Sequence, residues 1–378
     1  MTRPPQLGEP APWFEVCSPV NPRFSFDTLA GRRVLLCFFG SAGDPLSRDI
    51  LDEVLRHRDR FNDRDATFVG VSVDPADEAT GRIAEELPGF RVFWDFDRSV
   101  SRLFGLAGEG AGSGSALDGY HRATFLLDER LRILAIQPFE HEPQQRLLHY
   151  FSLLPPLEGE RLAAMQAPIL VVPHVFEPPL CQALINYYEQ RGGQESGFMR
   201  EVGGKTVLVY DHDHKRRRDE EIVDEALRNK CMFRIHDRLV PEIHKAFQFR
   251  ASHIERYIVA CYEAETGGHF RAHRDNTTRG TAHRRFAVSL NLNTGQYEGG
   301  YVRFPEFGRR LYTAPAGGAV VFSCSLLHEA TRVTSGRRYA FLPFLYDEDA
   351  EQVREQNRHF VADHEPGTAC STPGDFAA

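Results

Sequence analysis

Two domains of different class are predicted: an open α/β sheet first, then an all-β jelly roll with flanking helices. Three observations predict them. The 378 residues exceed an ordinary single domain. Up to about residue 154 strand-like and helix-like patterns alternate, which implies a βαβ-type sheet. From Ser252 to about Tyr346, short apolar runs of four to eight residues are separated by Gly, Asn and Pro signals, which suits a jelly roll or barrel.

In the first domain, Val34–Phe39 is a continuous apolar run between Gly31 and Gly40, as in a strand buried on both faces. Residues 47–61 carry helical apolar spacing through Ile50, Leu51, Val54 and Leu55. A strand over 67–73, a helix over 78–86, strands over 91–94 and 123–127 and an amphipathic helix over 142–154 complete it. The Gly/Ser/Ala run from Ala107 to Gly119 reads as a flexible loop. Pro155-Pro156 opens a polar linker over 155–167. The second domain, residues 168–348, begins with helices expected over 178–191 and 220–249. Residues 349–378 form an extension whose tail, after about residue 364, reads as disordered.

Composition narrows the function. The chain is 42% hydrophobic and 11% aromatic, enough to bury real cores. A formal charge of −8 argues against nucleic acid as the main partner. The basic residues are nearly all Arg, with Lys only at 205, 215, 230 and 245. Seven scattered cysteines without a CxxC fit a reducing cytoplasm better than a disulfide framework. No run reaches 18 apolar residues and the N-terminus lacks an apolar core, so neither membrane insertion nor secretion is expected.

The chemistry concentrates in GGHFRAHRDN. Residues i and i+2 of a strand share a face, so His273 and Asp275 aim at one point, and His328 is placed to be a third ligand. Two His and one carboxylate leave three adjacent octahedral positions for O2 and a bidentate keto acid. The same H-x-D spacing at His57 and Asp59 falls in a helical pattern, where the side chains diverge, and reads as surface charge. The Asp211-His212-Asp213-His214 cluster precedes a Lys/Arg run and reads as a solvated loop. Ten residues after His328, Arg338 opens an expected strand, where its guanidinium can bind a carboxylate in a forked pair; Arg337 would face the other way. In RRFAVSLNLN, Phe286, Val288, Leu290 and Leu292 share one face, and Arg285, Ala287, Ser289 and Asn291 the other, polar one.

Across residues 168–348 the segments PILVVPHVFEPPLCQALI, CYEAETGGHFRAHRDN, YEGGYVRFPEFG, PAGGAVVFSCSLLHEA and TSGRRYAFLPFLY appear in order. In these the chain resembles the prolyl-4-hydroxylase-type 2-oxoglutarate/Fe(II) dioxygenases. The resemblance implies a double-stranded β-helix with His273, Asp275 and His328 as iron ligands. It places Arg338 on the 2-oxoglutarate carboxylate and Tyr262 beside the cosubstrate. Asn291 falls where some relatives have a Tyr, and Ser289 shares its face. The implied cofactors are Fe(II), 2-oxoglutarate and O2, with ascorbate as reductant. The implied reaction yields succinate and CO2 while hydroxylating an unidentified peptide side chain, such as prolyl, or a small molecule.

The first domain resembles the peroxiredoxin branch of the thioredoxin-like fold, through VLLCFFGSAGDPLSR, FVGVSVDP, DFDRSVSRLFGL and HRATFLLDERLRILA. Arg122 matches the Arg that relatives set beside their thiolate. Asp44 and Ser47, however, occupy the turn where the catalytic Cys belongs. The expected role is interaction, homodimerisation or substrate presentation. The alternatives are a thiol peroxidase using Cys37 or Cys17, and a non-catalytic protein that senses 2-oxoglutarate or O2.

Overall fold

A computed structural model describes residues 3–108, 117, 119–139, 145–157, 166–361 and 374–375. Contacts divide the chain into two compact units, Met1–Arg161 and Leu162–Ala378. The expected loop over 107–119, much of the linker and most of the tail lie outside the described residues.

The first unit is built on a five-stranded sheet in the order Phe90–Trp94, Ala66–Ser72, Arg33–Gly40, Ala123–Leu127, Ile133–Pro138. The first three strands run parallel and the last two join antiparallel. The reason for the continuous apolar run is visible in the core. Val34, Leu36 and Phe38 enter one apolar cluster, while Leu35, Cys37 and Phe39 enter another. Alternate residues point to opposite faces and both faces are covered. The helix Pro45–Arg56 starts where Pro45 presets the first turn and Asp44 accepts from the Ser47 N–H at 3.0 Å. The helix expected over 78–86 is instead Pro75–Ala79. Asp74 caps it, and Gly81 follows at φ +62°, a conformation that ends helices.

The second unit holds two sheets. One contains Arg218–Glu221, Ile258–Glu263, Val333–Phe341 and Phe286–Asn291 as neighbours, with Ala319–Ser323 pairing against the last of these. The other runs Lys215–Arg216, His269–His273, His328–Ala330, Val302–Arg303, Leu311–Tyr312. All of these pairings are antiparallel, as in a double-stranded β-helix. Outward residues of the larger sheet, including Val259, Cys261, Val288, Leu290, Tyr339 and Phe341, bury against Leu180, Leu184, Cys231, Ile235 and Ile243 of the helices. Each such side chain contributes roughly 1.5–3 kcal/mol of burial.

The single helix expected over 220–249 is a strand and two helices. Residues Arg218–Glu221 pair with Ile258–Cys261. Asp224 then caps Glu225–Arg238, and Pro241 restarts the chain as Val240–Phe247. Asp347 caps a further helix, Glu348–Asn357, at the head of the extension. None of the described helices is long and apolar enough to cross a membrane.

Candidate metal centre and cosubstrate pocket

The strand that carries His273 ends at that residue; Asp275 lies in the following turn. Its backbone N–H donates to the Cys324 carbonyl at 3.0 Å, so a cross-chain hydrogen bond holds it where strand geometry no longer does. His273 stands directly opposite His328 in the strand pairing. Asp275 Oδ1 is 3.5 Å from His273 Nε2, and Oδ2 is 3.3 Å from His328 Nε2. One ligand atom from each of the three residues falls within 4.8 Å of the others, the one such group among the described residues.

The outer nitrogens are committed. Nδ1 of His273 lies 2.7 Å from the Arg271 carbonyl and Nδ1 of His328 lies 3.0 Å from the Leu326 carbonyl. A carbonyl only accepts, so each Nδ1 carries the proton and each Nε2 presents its lone pair inward, the tautomer a metal ligand needs. Burial pushes His328 down to about 4, against the pull of Asp275, so the ring is neutral near pH 7. Burial penalises the Asp275 charge, but the two rings and Arg284 hold it well below the usual carboxylate range.

These groups line a cavity of about 900 Å³ that Arg338 also lines. Arg338 sits mid-strand within Val333–Phe341 rather than opening it. It is 2% exposed, directly opposite Tyr262, with its guanidinium carbon 5.2 Å from that ring's centre. Its Nη2 donates to Ser289 Oγ at 2.7 Å and Asn291 Oδ1 at 3.0 Å, while Nε has no partner. No carboxylate among the described residues pairs with it. Asn291 does not line the cavity: its Nδ2 donates to Thr313 Oγ1 and the Ala314 carbonyl, fixing Oδ1 toward Arg338. Arg337 faces outward to Glu263 and Glu189.

One expectation needs correction. His214 is not part of a solvated loop. It packs 4.5 Å from the Phe198 ring and 5.5 Å from Phe270, 6.5 Å from the His273 ring, and lines the cavity. The basic run after it also divides by face: Lys215 and Arg217 are buried, while Arg216 and Arg218 are exposed. The spacing of two was visible in the sequence, but which pair faces inward depends on the strand pairing. His57 and Asp59 form no metal group among the described residues; His57 Nδ1 lies 3.0 Å from the Glu53 carbonyl.

In the first unit Arg122 pairs with the Asp44 carboxylate and lies 3.4 Å from Ser47 Oγ. Ser47 donates to the Phe39 carbonyl at 2.6 Å. Burial opposes the Asp44 charge, yet Ser47 and Arg122 hold its carboxyl below the usual range. Cys37 is fully buried, and burial pushes its thiol up to about 12, leaving almost no thiolate at neutral pH.

The folds and the site together define a two-part protein: a thioredoxin-like unit and a double-stranded β-helix of the 2-oxoglutarate-dependent oxygenase class. Residues 7–136 match the AhpC/TSA family and residues 252–346 the 2OG-Fe(II) oxygenase superfamily. The chain belongs to the AhpC/TSA peroxiredoxin family through its first unit, with the oxygenase domain joined to it. A Mycobacterium tuberculosis peroxiredoxin-type protein is 31% identical over 140 residues, 36% of this chain and 88% of that one. Peroxiredoxin Bcp of Escherichia coli K12 is 27% identical over 125 residues, 33% and 80% of the two chains. Among solved structures, a Pseudomonas putida prolyl-4-hydroxylase is 19% identical, covering 48% of this chain and 93% of its own, with a TM-score of 0.38. Mycobacterium bovis AhpC is 17% identical, covering 40% and 98%, with a TM-score of 0.32.

Proposed function

We propose that the second unit is an Fe(II)- and 2-oxoglutarate-dependent hydroxylase in which His273, Asp275 and His328 hold the metal. The observation that carries this is the donor set: two imidazole Nε2 atoms and a carboxylate converge, with both Nδ1 protons tied to carbonyls. Such a set suits Fe(II) with open positions. Bound there, Fe(II) supplies the O2 and keto-acid chemistry that splits 2-oxoglutarate to succinate and CO2 and leaves a hydroxyl on the substrate.

The protein's own residues orient and enclose. Arg338, buried and without a carboxylate partner, receives the distal carboxylate of 2-oxoglutarate in a charge-assisted pair. Ser289 and Asn291 fix the guanidinium, and Tyr262 covers it. The Arg271 and Leu326 carbonyls hold Nδ1 of His273 and His328, which turns both Nε2 atoms toward the metal position. The substrate, a peptide side chain such as prolyl or a small molecule, occupies the rest of the cavity. In the first unit Ser47 and Asp44 occupy the turn before Pro45–Arg56, and Cys37 is buried with its thiol pushed up to about 12, so neither position supplies a thiolate.

The test is succinate formation by the full chain given Fe(II), 2-oxoglutarate, O2 and ascorbate. Slow turnover is expected even without substrate, and His273→Ala should abolish it. Absence of succinate from the unaltered chain, with candidate peptides and metabolites supplied, would refute the proposal.

A further inference from the structure

The cavity wall carries more buried positive charge than the hydroxylase assignment uses. Lys215 and Arg217 are both buried and both line the cavity. Arg217 Nη2 pairs with Asp219 at 2.6 Å, and Arg256 reaches the same carboxylate oxygen at 3.4 Å, so one carboxylate serves two guanidiniums. Arg284 is matched separately by Glu255 at 2.6 Å. Among the described residues Lys215 makes no direct ion pair: its Nζ donates to Ser196 Oγ at 2.7 Å and to the Gly197 carbonyl, and reaches Asp219 only through Ser196, whose Oγ donates to that carboxylate at 2.5 Å. The ammonium lies 4.8 Å from the centre of the Phe270 ring, which stacks at 3.5 Å on His273. One aromatic ring therefore separates this amine from a proposed metal ligand.

Glu255 pairs with Arg284, and Arg338 is assigned to the distal carboxylate of 2-oxoglutarate. Lys215, Arg217 and Arg256 all act on one carboxylate, Asp219. The other glutamates of the lining sit by other cations: Glu195 by His212, Glu201 by Arg279, Glu220 by Arg191, Glu221 by Arg228 and Glu329 by Arg303. Burial and the neighbouring Arg217 push the Lys215 amine well below its ordinary value, against the pull of Asp219. Arg217 adds free donor capacity: its Nε has no partner, and Nη1 makes only a 3.4 Å contact with the Tyr262 hydroxyl.

We infer that Lys215 and Arg217 form an anion-binding subsite, so that the molecule oxidised here carries a carboxylate or a similarly charged group. A small organic acid and an acidic side chain of a peptide share this chemistry. The inference rests on the hydroxylase assignment and adds the substrate class. A neutral substrate would leave Lys215 donating to neutral atoms and Arg217 sharing Asp219, whereas an anion adds charge-assisted hydrogen bonds to both.

The experiment uses the full chain holding Mn(II) and saturating 2-oxoglutarate, without O2, and reads the paramagnetic broadening of probe protons by NMR. Two matched pairs are compared: N-acetylleucine with its carboxamide, and a blocked hexapeptide bearing one Asp with its Asn twin. The acid of at least one pair is expected to bind roughly tenfold or more tightly than its neutral partner. The pair that shows the preference identifies the source of the anion. Lys215→Met should erase the preference and Lys215→Arg should keep it. Equal binding within both pairs overturns the inference, as does a preference that survives Lys215→Met, or acids that bind only by displacing 2-oxoglutarate. The unaltered chain alone decides the first of these, whatever the variants do. If the protons of 2-oxoglutarate are themselves not broadened, the hydroxylase assignment falls first and the subsite with it.

Discussion

Arg338 shows what a single residue does here and how far it could be read in advance. Its ten-residue spacing from His328 and the polar face holding Ser289 and Asn291 were legible as sequence. The duty of Asn291 was not, because its orientation depends on Thr313 and Ala314, which reach it only through the fold. Arg338→Met should raise the KM for 2-oxoglutarate by about 30-fold or more, since truncating one partner of a buried charge pair costs about 2–5 kcal/mol. Arg338→Lys should recover part of it, and steady-state succinate assays decide. Lys215 and Arg217 were hidden for a different reason: four consecutive basic residues look solvated until a strand pairing assigns alternate ones to the interior. Cys37 gives a separate check. With its thiol pushed up to about 12, it should resist iodoacetamide at pH 8 in the native chain, while exposed Cys17 is alkylated. Mass spectrometry of labelled peptides reads this directly.

Strands were easier to read than helices, because a period of two or an unbroken apolar run survives without tertiary context. The run Val34–Phe39 and the alternation through Phe286–Asn291 correspond to observed strands. Helix limits failed where local chemistry overrode apolar spacing: Gly81 cut one short, and Asp224 and Pro241 divided another. The turn before Ala319–Ser323 is similarly demanding. Gly317 has φ +75°, and a Cβ there would lie 2.1 Å from the Phe176 carbonyl oxygen. Gly317→Ala should therefore cost about 2 kcal/mol or more, combining backbone strain with a clash against fixed main chain. Gly295, at φ +95° with nothing within 4 Å of its Cβ, should lose only about 1 kcal/mol on the same change. Urea unfolding of the two variants separates the effects.

At the scale of the whole molecule, the chain joins a peroxiredoxin-family unit with Asp44 and Ser47 at its helix-start turn to an oxygenase-class unit in which His273, Asp275 and His328 converge. Both parts were legible through ordered motifs; the charge balance of the cavity was not, since it sums residues distant in sequence. Acid should expose that balance. Burial opposes the Asp219 charge, but Arg217, Lys215 and Arg256 hold its carboxyl down to about 2. A depressed carboxyl stabilises the fold above its unfolded value, about 3.9, and this contribution is lost as pH falls from there toward about 2. Circular dichroism across that window should show stability falling in the unaltered chain and falling less steeply in Asp219→Asn. The central claim is tested most directly by anaerobic Fe(II) titration of the full chain beside His273→Ala, Asp275→Ala and His328→Ala. One equivalent should bind to the unaltered chain, with at least about 100-fold weaker binding in each variant, since even outer-shell changes cost 10–100-fold. Unchanged stoichiometry and affinity in all three variants would contradict it.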